Sequence, residues 1–149
     1  MIILLDSNVI IAAFATRGLC SEVFEFCLEH YEIILSDHLL EEISIKLKEK
    51  IKLPEKDLKE VVRFLKTHGI FLKPASVSSE ACRDPNDLKV LGLAKAAKSN
   101  VIVTGDKDLL VLKSFEDIPI IPPRQFWNVL LQQRNLPEQP KRRIGFHRS

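Results

Sequence analysis

Ile2-Ile3-Leu4-Leu5-Asp6-Ser7-Asn8 puts four apolar residues directly against an acid and two small polar side chains. A short continuous apolar run of this kind reads as a strand buried on both faces of a parallel sheet. Asp, Ser and Asn all favour helix starts, and a single cap needs only one of them. Val101-Ile102-Val103-Thr104-Gly105-Asp106 repeats the pattern a hundred residues on, with a β-branched strand running into a polar, acidic end. In an open parallel α/β sheet, ligands bind in the crevice outside the carboxyl ends of the strands. Acids carried there by separate strands converge on one place.

Outward from these two stretches, strands alternate with helical patterns. Further strands are predicted at Glu32 to Leu35, Ile70 to Leu72 and Ile118 to Ile121. An apolar helix over Val9 to Phe14 is interrupted by Gly18, and Ser21 is the expected cap of a second stretch reaching His30. Ser36 is the expected N-cap of a helix whose stripe is Leu39, Leu40, Ile43 and Leu47. Pro54 suits the first turn of a helix with Leu58, Val61, Val62 and Leu65 on one face, stopped by Gly69. Asp84-Pro85-Asn86-Asp87 is a helix start with Pro at the first position, and Phe126 to Leu131 makes a last helix. The alternation predicts an α/β domain with a mostly parallel sheet over residues 1–133. Residues 134–149 are polar, basic and broken by Pro137 and Pro140, and are expected to be a flexible tail.

The totals narrow the class. A chain of 149 residues fits one domain, and 46% hydrophobic with 28% charged residues is ordinary for a globular protein. No apolar run approaches the roughly 20 residues of a membrane span, and no basic leader precedes Asp6, so a cytoplasmic location is expected. Three cysteines, Cys20, Cys27 and Cys82, form neither a disulfide framework nor a C-x-x-C pair and read as small buried hydrophobes. Net charge is +2, but Arg134 to Ser149 alone carries +4, leaving the body at −2. That is a slightly acidic body with a cationic arm, unlike a protein that coats nucleic acid.

Four acids are the candidate site: Asp6, Glu42, Asp87 and Asp106. Glu42 borders its helix's apolar stripe, whereas Glu41 points further toward solvent. Asp84 and Asp87 resemble a capping box; Asp84 is assigned mainly to capping and Asp87 to the site. In Thr104-Gly105-Asp106-Lys107-Asp108, Asp106 is the expected ligand and Asp108 a cap or supporting partner. Ser7, Asn8 and Thr104 supply accompanying polar oxygens. Crowded carboxylates repel, so such a set serves to hold a hard divalent cation. His30, His38, His68 and His147 lie on separate elements without i, i+4 spacing, so the all-oxygen set favours Mg²⁺ or Mn²⁺ over zinc. Arg83, Lys107 and Arg124 fall near predicted strand ends and are candidate phosphate contacts, while Phe126 and Trp127 read as core anchors.

Asp-Ser-Asn after the first strand, Ser36-x-x-Leu-Leu-x-Glu42, Arg83-Asp-Pro-x-Asp87 and Thr104-Gly-Asp106-Lys-Asp-Leu-Leu together resemble the PIN domain (PilT N-terminus) nucleases, nearest to VapC-like toxins. The resemblance runs from about Ile2 to Phe126. It implies a three-layer α/β/α fold with a five-stranded parallel sheet in the order 3-2-1-4-5, and Mg²⁺-dependent hydrolysis of single-stranded RNA by a metal-activated water. Asp6, Glu42, Asp87 and Asp106 match the four family acids in turn. A small antitoxin partner and a homodimer are implied by the same likeness. Two other functions compete: a silent RNA-binding or partner-docking module whose acids only cap helices, and a phosphatase-like enzyme with Asp6 as nucleophile. The latter wants an acid where Asn8 stands.

Overall fold

The computed structural model describes residues 1–133. The apolar runs become strands because their side chains have nowhere else to go: Ile3, Leu4, Leu5, Ile102 and Val103 are fully buried. In chain order the elements are β1 (Ile2–Leu5), α1 (Ser7–Ala15), α2 (Leu19–His30), β2 (Glu32–Leu35), α3 (Asp37–Glu49), α4 (Glu55–His68) and β3 (Ile70–Phe71). There follow α5 (Pro85–Ala97), β4 (Val101–Val103), α6 (Lys107–Leu110), β5 (Ser114–Phe115), β6 (Ile118–Ile121) and α7 (Pro123–Gln133).

The sheet runs β3-β2-β1-β4-β6-β5. Its first five strands are parallel and stand in the expected order, with the strand anticipated as fifth appearing as β6. A sixth strand, β5, pairs antiparallel with β6 at the edge. The chain steps one way along the sheet from β1 to β3, then crosses back to β4. Right-handed crossovers therefore put α1 to α4 on one face and α5 on the other. α7 packs on α2 and joins the first face. The result is the three-layer arrangement, with the direction of winding reversing between β1 and β4.

Local chemistry places most helix starts. Ser36 Oγ accepts from the Leu39 amide at 3.1 Å, and Leu39, Leu40, Ile43 and Leu47 are all buried. Asp84 caps α5 by accepting from the Asn86 amide at 2.9 Å, with Pro85 in the first turn. Two local expectations need correction. Gly18, not Ser21, stands at the start of α2, and Ser21 is buried inside its first turn. Pro54 occupies the N-cap of α4 rather than its first turn. Asp84 alone caps α5, as assigned, and the Asp87 carboxylate lies toward Cys82 and Asp106. The predicted basic tail, residues 134–149, lies outside the described residues.

The long link from β3 to α5 is fixed against the helix it precedes. The Ala75 amide donates to the Gly92 carbonyl at 2.9 Å, and a Cβ at Gly92 would run into the Ala75 carbonyl. Glycine inside a helix usually costs about 1 kcal/mol relative to alanine. Here close crossing of two backbones reverses the sign. Gly92→Ala should lower stability by about 1–3 kcal/mol through overpacking, read as a fall in the urea midpoint; a gain would mean that the link does not press on α5.

Candidate metal centre

The reversal of winding between β1 and β4 is where a parallel sheet opens a crevice at its carboxyl edge. The ladder continues just past the strand ends there. The Asp6 amide donates to the Val103 carbonyl at 2.9 Å, and the Thr104 amide to the Ile121 carbonyl at 3.1 Å. Asp6 and Thr104 are thereby held side by side, and both are buried. Thr104 Oγ1 donates to Asp6 Oδ2 at 2.7 Å and accepts from the Asp106 amide at 3.0 Å. The other Asp6 oxygen accepts from the Ser7 amide at 2.7 Å, so Asp6 is N-cap of α1 as well as part of this edge. Asp106 likewise caps α6, accepting from the Asp108 amide at 2.9 Å. Asn8 Oδ1 reaches the Gly105 amide at 3.4 Å, tying the two turns together.

Asp87 arrives from the opposite face, in the first turn of α5, and is 5% exposed. One carboxylate oxygen each from Asp87, Asp106 and Asp108 lies within 4.8 Å of the others. Asp108, expected only as a cap or supporting group, is thus in the tightest grouping. Asp6 joins through Thr104 and through its field. Glu42, on α3, is not one of the close trio and pairs with Lys46 at 2.9 Å. Its charge raises the Asp6 pKa, ahead of that of Asp106.

The electrostatics show strain that a cation would relieve. Burial raises the Asp6 pKa, partly offset by the Thr104 and Ser7 hydrogen bonds, and the charges of Glu42 and Asp106 push it further up. Asp87 is pushed up to about 7, first by burial, then by its hydrogen bond to Asp106 and the charges of Asp106, Asp84 and Asp6. Without a counter-charge this edge retains a proton that an ordinary carboxyl would have released. Hard oxygen donors that reject each other's charge and converge within ligand reach suit a cation such as Mg²⁺ or Mn²⁺.

Arg83 and Lys107 are exposed beside this edge, and Arg124 is exposed in the first turn of α7, just after the strand that pairs with Thr104. Phe126 is buried and Trp127 half-buried, facing Phe26 edge-on, which makes them core anchors. Cys27 and Cys82 are buried, but Cys82 is not merely a small hydrophobe. Its thiol lies 3.8 Å from Asp87 Oδ2 and 3.9 Å from the Asp108 carbonyl, so it borders the carboxylates. Its place just ahead of Arg83-Asp84-Pro85 was the one available sequence signal, and a lone cysteine there is weak.

The site is thus a group of carboxylates gathered at the switch point of an open, mostly parallel sheet. The PIN domain family model matches residues 2–108, and the chain belongs to that family of nucleases. Among solved structures, a chain of VapBC2 from Rickettsia felis, bound to a DNA fragment from their promoter, shares the fold at a TM-score of 0.57 and 14% identity. That match covers 82% of this chain and 98% of the other. Among curated proteins, none matches significantly. No described helix is long and apolar enough to cross a membrane.

The pKa of Asp87 has a thermodynamic consequence. The unfolded chain releases this proton near 3.8, the metal-free fold only near 7. The native state binds more protons than the unfolded state in that window, so stability falls as pH rises through it. In EDTA the thermal midpoint should drop between about pH 5 and pH 7.5, and Asp87→Asn should flatten the drop. A midpoint that climbs across this range in wild type, with no change in the variant, would contradict the strained cluster.

Proposed function

We propose that this chain is a divalent-cation-dependent endoribonuclease that hydrolyses single-stranded RNA, acting in the cytoplasm as the toxin of a toxin–antitoxin pair. One observation carries the reading: three carboxylates within 4.8 Å at the switch point of a PIN sheet, one pushed up to about 7 by burial and by its acidic neighbours. Asp6, Glu42, Asp87 and Asp106 are the proposed catalytic carboxylates, and Asp108 joins Asp87 and Asp106 as a proposed ligand. When bound, Mg²⁺ or Mn²⁺ would supply Lewis acidity toward a phosphate oxygen and toward water.

The chain's own groups do the rest. Asp87, pushed up to about 7 without a cation, would release its proton to hold one. Thr104 and the Ser7 amide hold both oxygens of Asp6 in place, so that its orientation does not have to be recovered in each turnover. Thr104 also fixes the Asp106 amide, which sets the turn carrying the second carboxylate. Glu42 adds negative field from α3 while Lys46 compensates its charge. Arg83, Lys107 and Arg124, all exposed, are the proposed contacts to the phosphate backbone. The structurally similar Rickettsia felis chain comes from VapBC2, which supports a small antitoxin as the proposed partner; a homodimer is proposed on the family likeness.

A second reading has its own support, because Asp6, Asp84 and Asp106 all serve as helix caps. On that reading the chain is a silent RNA-binding or docking module. An RNase assay separates the two. Wild type should cleave unstructured RNA in Mg²⁺ or Mn²⁺ and lose that activity in EDTA. Asp106→Asn should lower the rate at least about a hundredfold, roughly 3 kcal/mol of transition-state stabilisation, with the thermal transition retained. Cleavage by Asp106→Asn at the wild-type rate would refute the site, and absence of cleavage by wild type in either metal would favour the silent module.

A further inference from the structure

The net −2 of residues 1–133 conceals a segregation of charge. Residues 48–73 run from the last turn of α3 through α4 to just past β3. They hold eight Lys or Arg and four acids, a balance of +4, and all eight cations are exposed. The other residues of 1–133 hold nine Lys or Arg and fifteen acids, a balance of −6. On α4 the cations are also aligned. Lys56, Lys59, Arg63 and Lys66 stand three, four and three residues apart. At 3.6 residues per turn they fall within roughly 80° of one another and run roughly 15 Å along the axis. Val61 and Leu65 are buried on the opposite side, and Phe64 packs edge-on against Phe14 of α1, so the stripe faces away from the core. Lys50 and Lys52 stand on the short link that leads into α4. The four acids do not cancel this. Glu55 meets Lys59 at 3.8 Å, but the two are 82% and 72% exposed, and pairs so exposed contribute little. Glu60 borders the stripe beside Lys56, while Asp57 and Glu49 lie off it. Among the described residues no ion pair reaches Lys56, Arg63 or Lys66.

We propose that the outer face of α4, with the link before it, is a second RNA-binding surface that grips the phosphate backbone of a double-helical stem without reading its sequence. That the nucleic acid is RNA rests on the proposed nuclease reading; the surface itself does not. It is separate from the carboxylates. α4 leads into β3, the edge strand, which stands two places from β1, and two strand spacings are roughly 10 Å. A straight row of cations on a rigid helix suits a regular row of phosphates, which Lys and Arg bind by charge-assisted hydrogen bonds. Surfaces that take single strands add aromatic side chains on which bases stack, and none is among the exposed large apolar residues described. Paired RNA is instead recognised by its shape and its phosphates. Protein interfaces are enriched in Arg and aromatics and depleted of Lys, whereas five of these six cations are Lys. A helix that lies on anionic lipid turns its apolar face to the bilayer, but α4 commits that face to the core. Ile51 is exposed between Lys50 and Lys52, which makes lipid vesicles one arm of the test.

The test is fluorescence anisotropy of a labelled RNA stem-loop with the full chain in EDTA, repeated over a series of salt concentrations. Lys56→Glu combined with Arg63→Glu should weaken binding at least about tenfold and reduce the salt slope by about two, one for each lost phosphate contact. Arg63→Lys alone should preserve both. Arg17→Glu combined with Lys95→Glu changes the net charge equally at exposed positions elsewhere and should keep the wild-type slope. All of these positions are exposed, so each variant should retain the thermal transition and its rise in Mn²⁺. Wild-type affinity in the α4 variant, or an equal loss in the charge-matched variant, would overturn the proposal. So would binding of the unpaired strand, a DNA duplex, poly-glutamate or phosphatidylserine vesicles as tightly as the stem. If stem binding follows α4 while wild type cleaves nothing in Mg²⁺ or Mn²⁺, the surface stands and the nuclease reading falls. If wild type cleaves and the α4 variant binds the stem normally, the reverse holds.

Discussion

Thr104 stands between two acids, and the site is built around its hydroxyl. Oγ1 donates to Asp6 at the end of β1 and accepts from the Asp106 amide beyond the end of β4. Threonine can do this because it is fully buried at the first position past the strand, where its amide still joins the ladder to Ile121. A buried hydroxyl must find partners or cost roughly 1–3 kcal/mol. Both partners lie on the chain segments that carry the carboxylates. Packing of β1 on β4 and placement of the acids are therefore one constraint, and the acidic edge cannot be loosened without disturbing the centre of the sheet.

What this constraint brings together is unfavourable on its own. Asp6 and Asp87 are almost fully buried, and each feels other carboxylates. Helix caps repay some of the cost, since Asp6 and Asp106 each satisfy a backbone amide. Caps do not account for Asp87, which leaves capping to Asp84 and turns toward Cys82 and Asp106. An acid that declines the available cap to sit beside two more acids is better explained by a cation than by helix stability. Glu42 stands differently: half-exposed and paired with Lys46, it raises the Asp6 pKa by its charge yet resembles a solvated helix charge more than the others do.

Much of this was legible in the residues. The strands at 2–5, 32–35 and 118–121 and the caps at Ser36 and Asp84 follow from apolar runs and side-chain oxygens at helix starts. Where the reading missed, local signals were absent. The β5–β6 hairpin turns through Glu116 and Asp117, both at positive φ, a two-residue turn that usually announces itself with Asn-Gly. α6 is only four residues long and carries no periodicity. Gly18 replaces Ser21 at the start of α2 because an extended backbone suffices there and the serine is needed inside. The closeness of Asp108 to Asp87 depends on how the α6 turn folds against α5, a tertiary fact that spacing does not encode.

The central claim is that these carboxylates coexist at neutral pH only by taking up a cation. Calorimetric titration of the metal-free protein with Mn²⁺, in buffers of different ionisation enthalpy, reads it directly. Because Asp87 titrates near 7, binding near pH 6 should release about one proton per ion. The release should fade toward pH 8 and disappear in Asp87→Asn. No Mn²⁺ binding, or binding with the same proton release in wild type and Asp87→Asn, would contradict it.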